Sequence, residues 1–209
     1  MFEDVAPISP IEWFAFTVPI IKGKKEDLFS KKSLLFSPAK IAGEEEFAKV
    51  YVVWNEKKLL FRIVVEEAYE QAYFPDFRKG DSVELFIDTL NLKKKRLFGA
   101  SCHHFVFFPE KIEGSLAKEV SKFRGEDAHD LAEAKDLLNL VDMEKKRYTL
   151  NLEIPNYCLH GYEPSIGKKI GFTYQINRSQ NPPQHFSLSS YDFLPEKNPH
   201  LWATLELKS

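Results

Sequence analysis

Apolar and polar residues alternate with a period of two along most of this chain, the spacing of strands with one buried face. Val50, Val52 and Trp54 interleave with Tyr51 and Val53, and Asn55-Glu56-Lys57-Lys58 reads as a turn. Leu59, Phe61, Ile63 and Val65 follow on one face, so the two runs predict a β-hairpin. Val83, Leu85 and Ile87 begin another strand after the turn Arg78-Lys79-Gly80-Asp81, and Phe105 and Phe107 mark a further one closed by Pro109. Tyr148, Leu150, Leu152 and Ile154 alternate with Thr149, Asn151 and Glu153 up to Pro155. Ile170, Phe172, Tyr174 and Ile176 alternate with Gly171, Thr173, Gln175 and Asn177, ahead of a loop at Gln180-Asn181-Pro182-Pro183. Residues 202–207 predict a last strand, and 13–18 and 33–36 predict two short early ones. Strands with one apolar and one polar face predict an all-β fold, an antiparallel β-sandwich of two sheets packed face to face.

Residues 115–142 depart from this pattern. Leu116, Val120 and Phe123 keep helical spacing, as do Leu131, Ala134, Leu137 and Leu138, with Gly125 between the two groups. We read the interval as a short helical insertion. Neither piece carries a core of its own, so residues 1–209 are expected to form one domain. The apolar fraction of 44% supports a sizeable core and argues against disorder. A net charge of -2 gives no electrostatic case for nucleic acid or an anionic membrane surface as partner. Cys102 and Cys158 are far apart in sequence and form neither a disulfide scaffold nor a zinc-binding pair, so two reduced thiols are expected. The first residues, Met1-Phe2-Glu3-Asp4-Val5-Ala6-Pro7, have no basic and apolar leader, and the apolar stretch 13–21 is too short to span a bilayer; both lead to the expectation of a cytoplasmic location.

Candidate chemistry is sparse. Phosphate-binding glycine loops, nucleophile elbows and metalloprotease helices are missing from the sequence. Glu44-Glu45-Glu46 and Glu66-Glu67 read as solvated acids, and the lysine-rich stretch 92–96 as a solvated loop. Glu84, Thr149, Asn151, Thr173, Gln175 and Asn177 oppose the apolar positions of their strands. They make either a solvated outer face or a surface for a polar ligand. His103 and His104 are neighbours on a strand and point to opposite faces, so one strand cannot aim both at one metal. Asp127 and His129 could meet one of them across the fold, as a metal or catalytic cluster or as structural hydrogen bonds, and Arg124 could pair with a carboxylate in Arg124-Gly125-Glu126-Asp127. Asp81, Asp88 and Asn91 could supply oxygens to calcium, without the spacing of a helix-loop-helix calcium site.

The order of the pieces resembles the family 9 carbohydrate-binding modules and the wider DOMON-like group. Tyr51-Val52-Val53-Trp54-Asn55 with Leu59-Leu60-Phe61 is similar to the first hairpin of that family, and Gly80-Asp81-Ser82-Val83-Glu84-Leu85-Phe86-Ile87-Asp88 to its most recognisable strand. The runs 148–155, 170–177 and 202–207 are similar to its later strands, so the resemblance spans about residues 45 to 207. It implies a jelly-roll-like sandwich that binds carbohydrate in a shallow groove, carries out no catalysis, needs no cofactor and in some members uses calcium to brace loops. It places Glu84 as the sugar-bonding carboxylate, an aromatic wall near Phe77 or Arg78 with Tyr73 and Phe74 close by, and a second wall near Phe186 or Tyr191, with Asn177 beside the groove. Where the family carries an arginine and an asparagine on the middle strand, this chain reads Cys102-His103-His104-Phe105-Val106-Phe107, which leaves His104 as the candidate there. A module of the same fold that binds another protein instead of a sugar is the alternative expectation.

Overall fold

Asn55 ends the first long strand by folding its side chain back, where its Oδ1 accepts the backbone N–H groups of Lys57 at 3.0 Å and Lys58 at 3.1 Å. That turn joins β2 (Ala48–Asn55) to β3 (Lys58–Val65) as the expected hairpin. The computed structural model, which describes residues 16–93, 97–123, 125–187 and 194–209, extends this hairpin into a sheet of four strands. β8 (Tyr148–Pro155) pairs with β3, and β7 (Leu138–Met143) lies at the edge. The larger sheet runs in the order β1 (Thr17–Ile21), β11 (Ala203–Lys208), β9 (Lys169–Arg178), β4 (Ser82–Asp88), β5 (Cys102–Ile112), β6 (Ser115–Glu119), with β10 (Asn181–His185) also pairing with β9. Among these described strands every pairing is antiparallel except that of β1 with β11. No helix among the described residues is long and apolar enough to cross a membrane.

The two sheets bury the apolar positions that alternate along their strands. Val52, Leu59, Phe61, Ile63, Leu150 and Leu152 of one sheet meet Leu85, Phe105, Phe107, Phe172, Tyr174 and Leu205 of the other in one core. Phe61 and Phe172 stack between the sheets, with centroids 5.6 Å apart and planes at 15°. β4 departs from the expected half-buried strand, because all seven of its residues are buried. Its outward face lies beneath chain that covers the larger sheet, including the one-turn segments Phe77–Lys79 and Pro195–Lys197.

Residues 115–142 are not a helical insertion. They hold β6, a single 3₁₀ turn at Ala134–Asp136 and the start of β7. The helical spacing of Leu116 and Val120 is incidental, for Ala117 and Glu119 turn inward at strand spacing while Leu116 stays half exposed. β7 inverts the usual rule: Asn139 is buried and donates to the carbonyls of Phe108 and Leu116, while Leu138 and Leu140 are exposed. The expected strand at 33–36 is reduced to one bridge between Leu34 and Tyr51, after a 3₁₀ turn at Lys31–Ser33. Of the expected strand at 13–18, only residues 16–18 lie among the described ones; β1 begins at Thr17. Residues 94–96 of the lysine-rich loop, Arg124 and Tyr191 lie outside the described residues.

Candidate functional site

The outward face of the larger sheet carries a buried charged network centred on Glu84. On β4, Glu84 sits diagonally beside His104 of β5 and Asn177 of β9, because Phe86 pairs with His104 and Ser82 with Asn177. His104 Nε2 lies 2.8 Å from Glu84 Oε2, and Asn177 Nδ2 donates to Glu84 Oε1 at 2.9 Å. The one-turn segment before β4 folds Arg78 back over the strand. Its Nε and Nη2 donate to the two oxygens of Glu84 at 2.8 and 2.7 Å. The other edge of the same guanidinium grips Glu196, at 2.9 Å from both Nη1 and Nη2. A carboxylate has about four acceptor sites, and the side chain of Glu84, at 0% exposure, has all of them filled. Arg78 uses four of its five N–H donors on the two carboxylates, which leaves one on Nη1.

Above this floor opens a cavity of about 540 Å³. Arg78, His104 and Glu196 reach it from the network, Phe77, Phe98, Phe123 and Val120 wall it, and Asp76, Lys79, Lys122 and Lys197 rim it. The walls are braced from behind. Phe86 stacks on His104 with centroids 4.1 Å apart, Trp202 packs against both Phe86 and Phe98, and the Trp202 indole N–H donates to the Pro195 carbonyl at 3.0 Å. Volume and lining are those of a small-molecule pocket, with aromatic sides and a few convergent polar groups.

Burial pushes the Glu84 carboxyl up, but the hydrogen bonds from His104 and Arg78 outweigh it and hold it at about 2. Arg78 likewise holds Glu196 below the ordinary carboxylate range against the opposing effect of burial. A carboxyl depressed in the folded state stabilises the fold fully above its unfolded value of 4.5, and this stabilisation is lost as pH falls through about 2. Urea unfolding at a series of pH values is therefore expected to show wild type losing on the order of 3 kcal/mol more than Glu84→Gln across that window. Parallel pH profiles for the two proteins would show that Glu84 is not held ionised by its partners.

Of the residues singled out in the sequence, Glu84, Phe77, Arg78, His104 and Asn177 come together here. Glu84 does so in a different role from that expected: it is closed off from the cavity and positions Arg78 and His104, which do reach it. Phe74 packs edge-on against Phe108 under the Lys118 ammonium, outside the cavity. Phe186 is not a wall but a core residue at 0% exposure, stacked on Tyr174, because residue 186 continues the inward side of the chain after β10. The presumed single polar face divides between two sheets. Thr149 and Asn151 lie on the smaller one, while Glu84, Thr173, Gln175 and Asn177 share the larger and are covered rather than solvated.

Asp81, Asp88 and Asn91 do not converge on one ion, since Asp81 and Asp88 flank opposite ends of β4, about 20 Å apart at strand rise. Asp81 instead accepts the Glu70 and Gln71 N–H groups, and Asp88 those of Leu90 and Leu92. His103, on the other face of β5 from His104, meets His129 at Glu119; Asp127 lies by Gly99. Glu196, Phe98, Phe123 and Glu119 were not apparent from sequence. None lies in the alternating pattern of a recognised strand, and only the chain's long-range returns bring them in.

A sequence model described as carbohydrate family 9 binding domain-like matches residues 21–209. No curated protein matches the chain. Among solved structures, a family 9 carbohydrate-binding module from Caldicellulosiruptor kristjanssonii in complex with cellotriose superposes with a TM-score of 0.62 at 15% identity, covering 92% of this chain and 94% of that one. A family 9 module from the same organism in complex with glucose gives a TM-score of 0.63 at 13% identity, over 92% and 96% of the two chains. At such identities the likeness is one of fold.

Proposed function

The chain belongs to the carbohydrate family 9 binding domain-like family, and from that premise we propose that it is a non-catalytic protein that binds a sugar in the cavity above Arg78 and His104. The observation that carries this reading is the pairing of aromatic walls with a pre-organised polar floor. The rings of Phe77, Phe98 and Phe123 offer π-faces and edges to the C–H surfaces of a sugar. The remaining Nη1 donor of Arg78, the second ring nitrogen of His104 and the Glu196 carboxylate are the groups for hydroxyls. Glu84 contributes by holding two of those groups still, so that less side-chain freedom is lost on binding.

The same arrangement supports a binding role over glycoside hydrolysis. Hydrolysis needs two carboxyl groups facing each other across the scissile bond, about 5 to 9.5 Å apart. Of the two carboxylates at this site, Glu84 is sealed from the cavity and only Glu196 reaches it, so the pair cannot flank a scissile bond.

Calorimetric titration of the full chain with glucose and with cellotriose tests the proposal. Saturable binding by wild type is expected, weakened about tenfold in Phe123→Leu, which keeps an apolar wall but removes the ring. Absence of heat with either sugar at millimolar concentration, or equal affinity in the variant, would overturn this assignment of the cavity.

A further inference from the structure

On the other face of β5, three side chains from three segments point at one spot. Glu119 of β6 pairs with Phe105, which places His103 diagonally beside it. The connection that follows β6 returns to bring in His129. His103 Nδ1 and His129 Nε2 each lie 2.9 Å from Glu119 Oε1, and the two imidazole centroids are 4.1 Å apart. One donor atom from each residue lies within 4.8 Å of the others. All three side chains are buried, at 0%, 0% and 4% exposure for His103, Glu119 and His129.

The surrounding hydrogen bonds constrain where the protons sit. His129 Nδ1 is 2.6 Å from the Ala100 carbonyl oxygen, which can only accept, so Nδ1 carries a proton. With Nδ1 protonated, Nε2 and the carboxylate oxygen 2.9 Å away hold one cation between them, a proton or a metal ion. His103 poses the same question from the other side. Its Nε2 is buried with no hydrogen-bond partner among the described residues, and its Nδ1 lies 2.9 Å from the same Glu119 oxygen. Glu119 is meanwhile oriented by Ser121 Oγ on Oε1 and by the Ala132 N–H on Oε2, both at 2.7 Å.

We propose that His103, Glu119 and His129 bind one divalent transition-metal ion of the zinc class. Two neutral imidazoles and one carboxylate form the donor set such ions prefer, with water as the fourth ligand. The Ala100 carbonyl on the far nitrogen of His129 is the outer contact that metal-bound histidines usually make. Around a tetrahedral zinc with bonds of about 2.0–2.1 Å, donor atoms stand about 3.3 Å apart, so each histidine nitrogen, now 2.9 Å from Glu119 Oε1, needs to move only about 0.4 Å away from that oxygen. The ion would tie the connection after β6 to the sheet. The described residues of 120–133 form no helix or strand, and a stretch that long seldom stays ordered without some such tie. His129 also packs edge-on against Phe123 at 4.6 Å, so the ion would brace one wall of the cavity from behind.

The test is zinc titration of chelator-stripped full chain, read by calorimetry without any sugar, so that its outcome is independent of the sugar assignment. Wild type is expected to take up one equivalent with a Kd below about 10 µM. His129→Gln and Glu119→Gln are each expected to weaken uptake by more than about 100-fold, beyond the usual cost of losing an outer contact. His185→Gln, away from the cluster, is expected to bind as wild type does. Nitrogen-15 NMR of the imidazoles in zinc-loaded wild type needs no variant, and should show zinc on Nδ1 of one histidine and Nε2 of another. No uptake by wild type, undiminished uptake in folded His129→Gln, or zinc shifts on other histidines would each overturn the proposal.

Discussion

Arg78→Ala is expected to destabilise the fold by about 3–5 kcal/mol, seen as a lower urea midpoint at unchanged m-value. The alanine leaves Glu84 at 0% side-chain exposure without the guanidinium that fills two of its acceptor sites. Removing one partner of a buried ion pair costs more than the pair is worth, because the remaining charge stays desolvated. Glu84 would then have to take a proton or draw water down through the cavity. Glu196→Gln provides the contrast. Its side chain is 29% exposed, and Arg78 keeps both bonds to Glu84 after the change, so a loss of less than about 1 kcal/mol is expected. A loss of under about 1 kcal/mol for Arg78→Ala as well would show that Glu84 rehydrates freely and that the network is not closed as described.

That contrast shows why the strands were legible in the sequence and the site only partly so. Alternation identified β2, β3, β4, β8 and β9, because a half-buried strand writes its burial into every second residue. It also placed Glu84 and Asn177 opposite the apolar positions of their strands, while His104 came in through the family resemblance; strand pairing brings the three onto one face. What covers that face is not periodic. Glu196 stands 118 residues from Arg78, in a one-turn segment with no hydrophobic pattern of its own, so nothing local announces the second half of the fork. A polar position buried beneath loops reads the same as one facing water, which is why the outward face of β4 was expected to be solvated or open to ligand. The same ambiguity hid β6 and β7. There the inward residues include Glu119 and Asn139, each hydrogen-bonded to partners distant in sequence, so the apolar residues left outside imitated a helix. Local pattern reports burial by apolar side chains and is silent where polar networks do the burying.

Phe172→Ala is expected to cost about 3–5 kcal/mol for a different reason. The ring stacks on Phe61 of the opposite sheet at 5.6 Å and meets Tyr174 at 6.3 Å and Phe186 at 5.5 Å, and it is 0% exposed. Strands of a hydrogen-bonded sheet cannot collapse inward to fill the void, so the loss combines transfer of the ring with the cavity left behind. For a domain of this size the melting temperature should fall by on the order of 10 °C. Phe172→Leu, which refills most of the volume, should cost only about 1–1.5 kcal/mol. Because Phe172 faces the core and its neighbour Thr173 faces the covered outer side of the sheet, the damage should remain on one face of β9. Below its lowered melting temperature, Phe172→Ala should bind any sugar that wild type binds with unchanged affinity. A combined loss of stability and affinity would instead mean that core packing sets the position of Glu84 and Asn177 through the sheet, and that the cavity is less rigidly supported by its own network than the Arg78 fork implies.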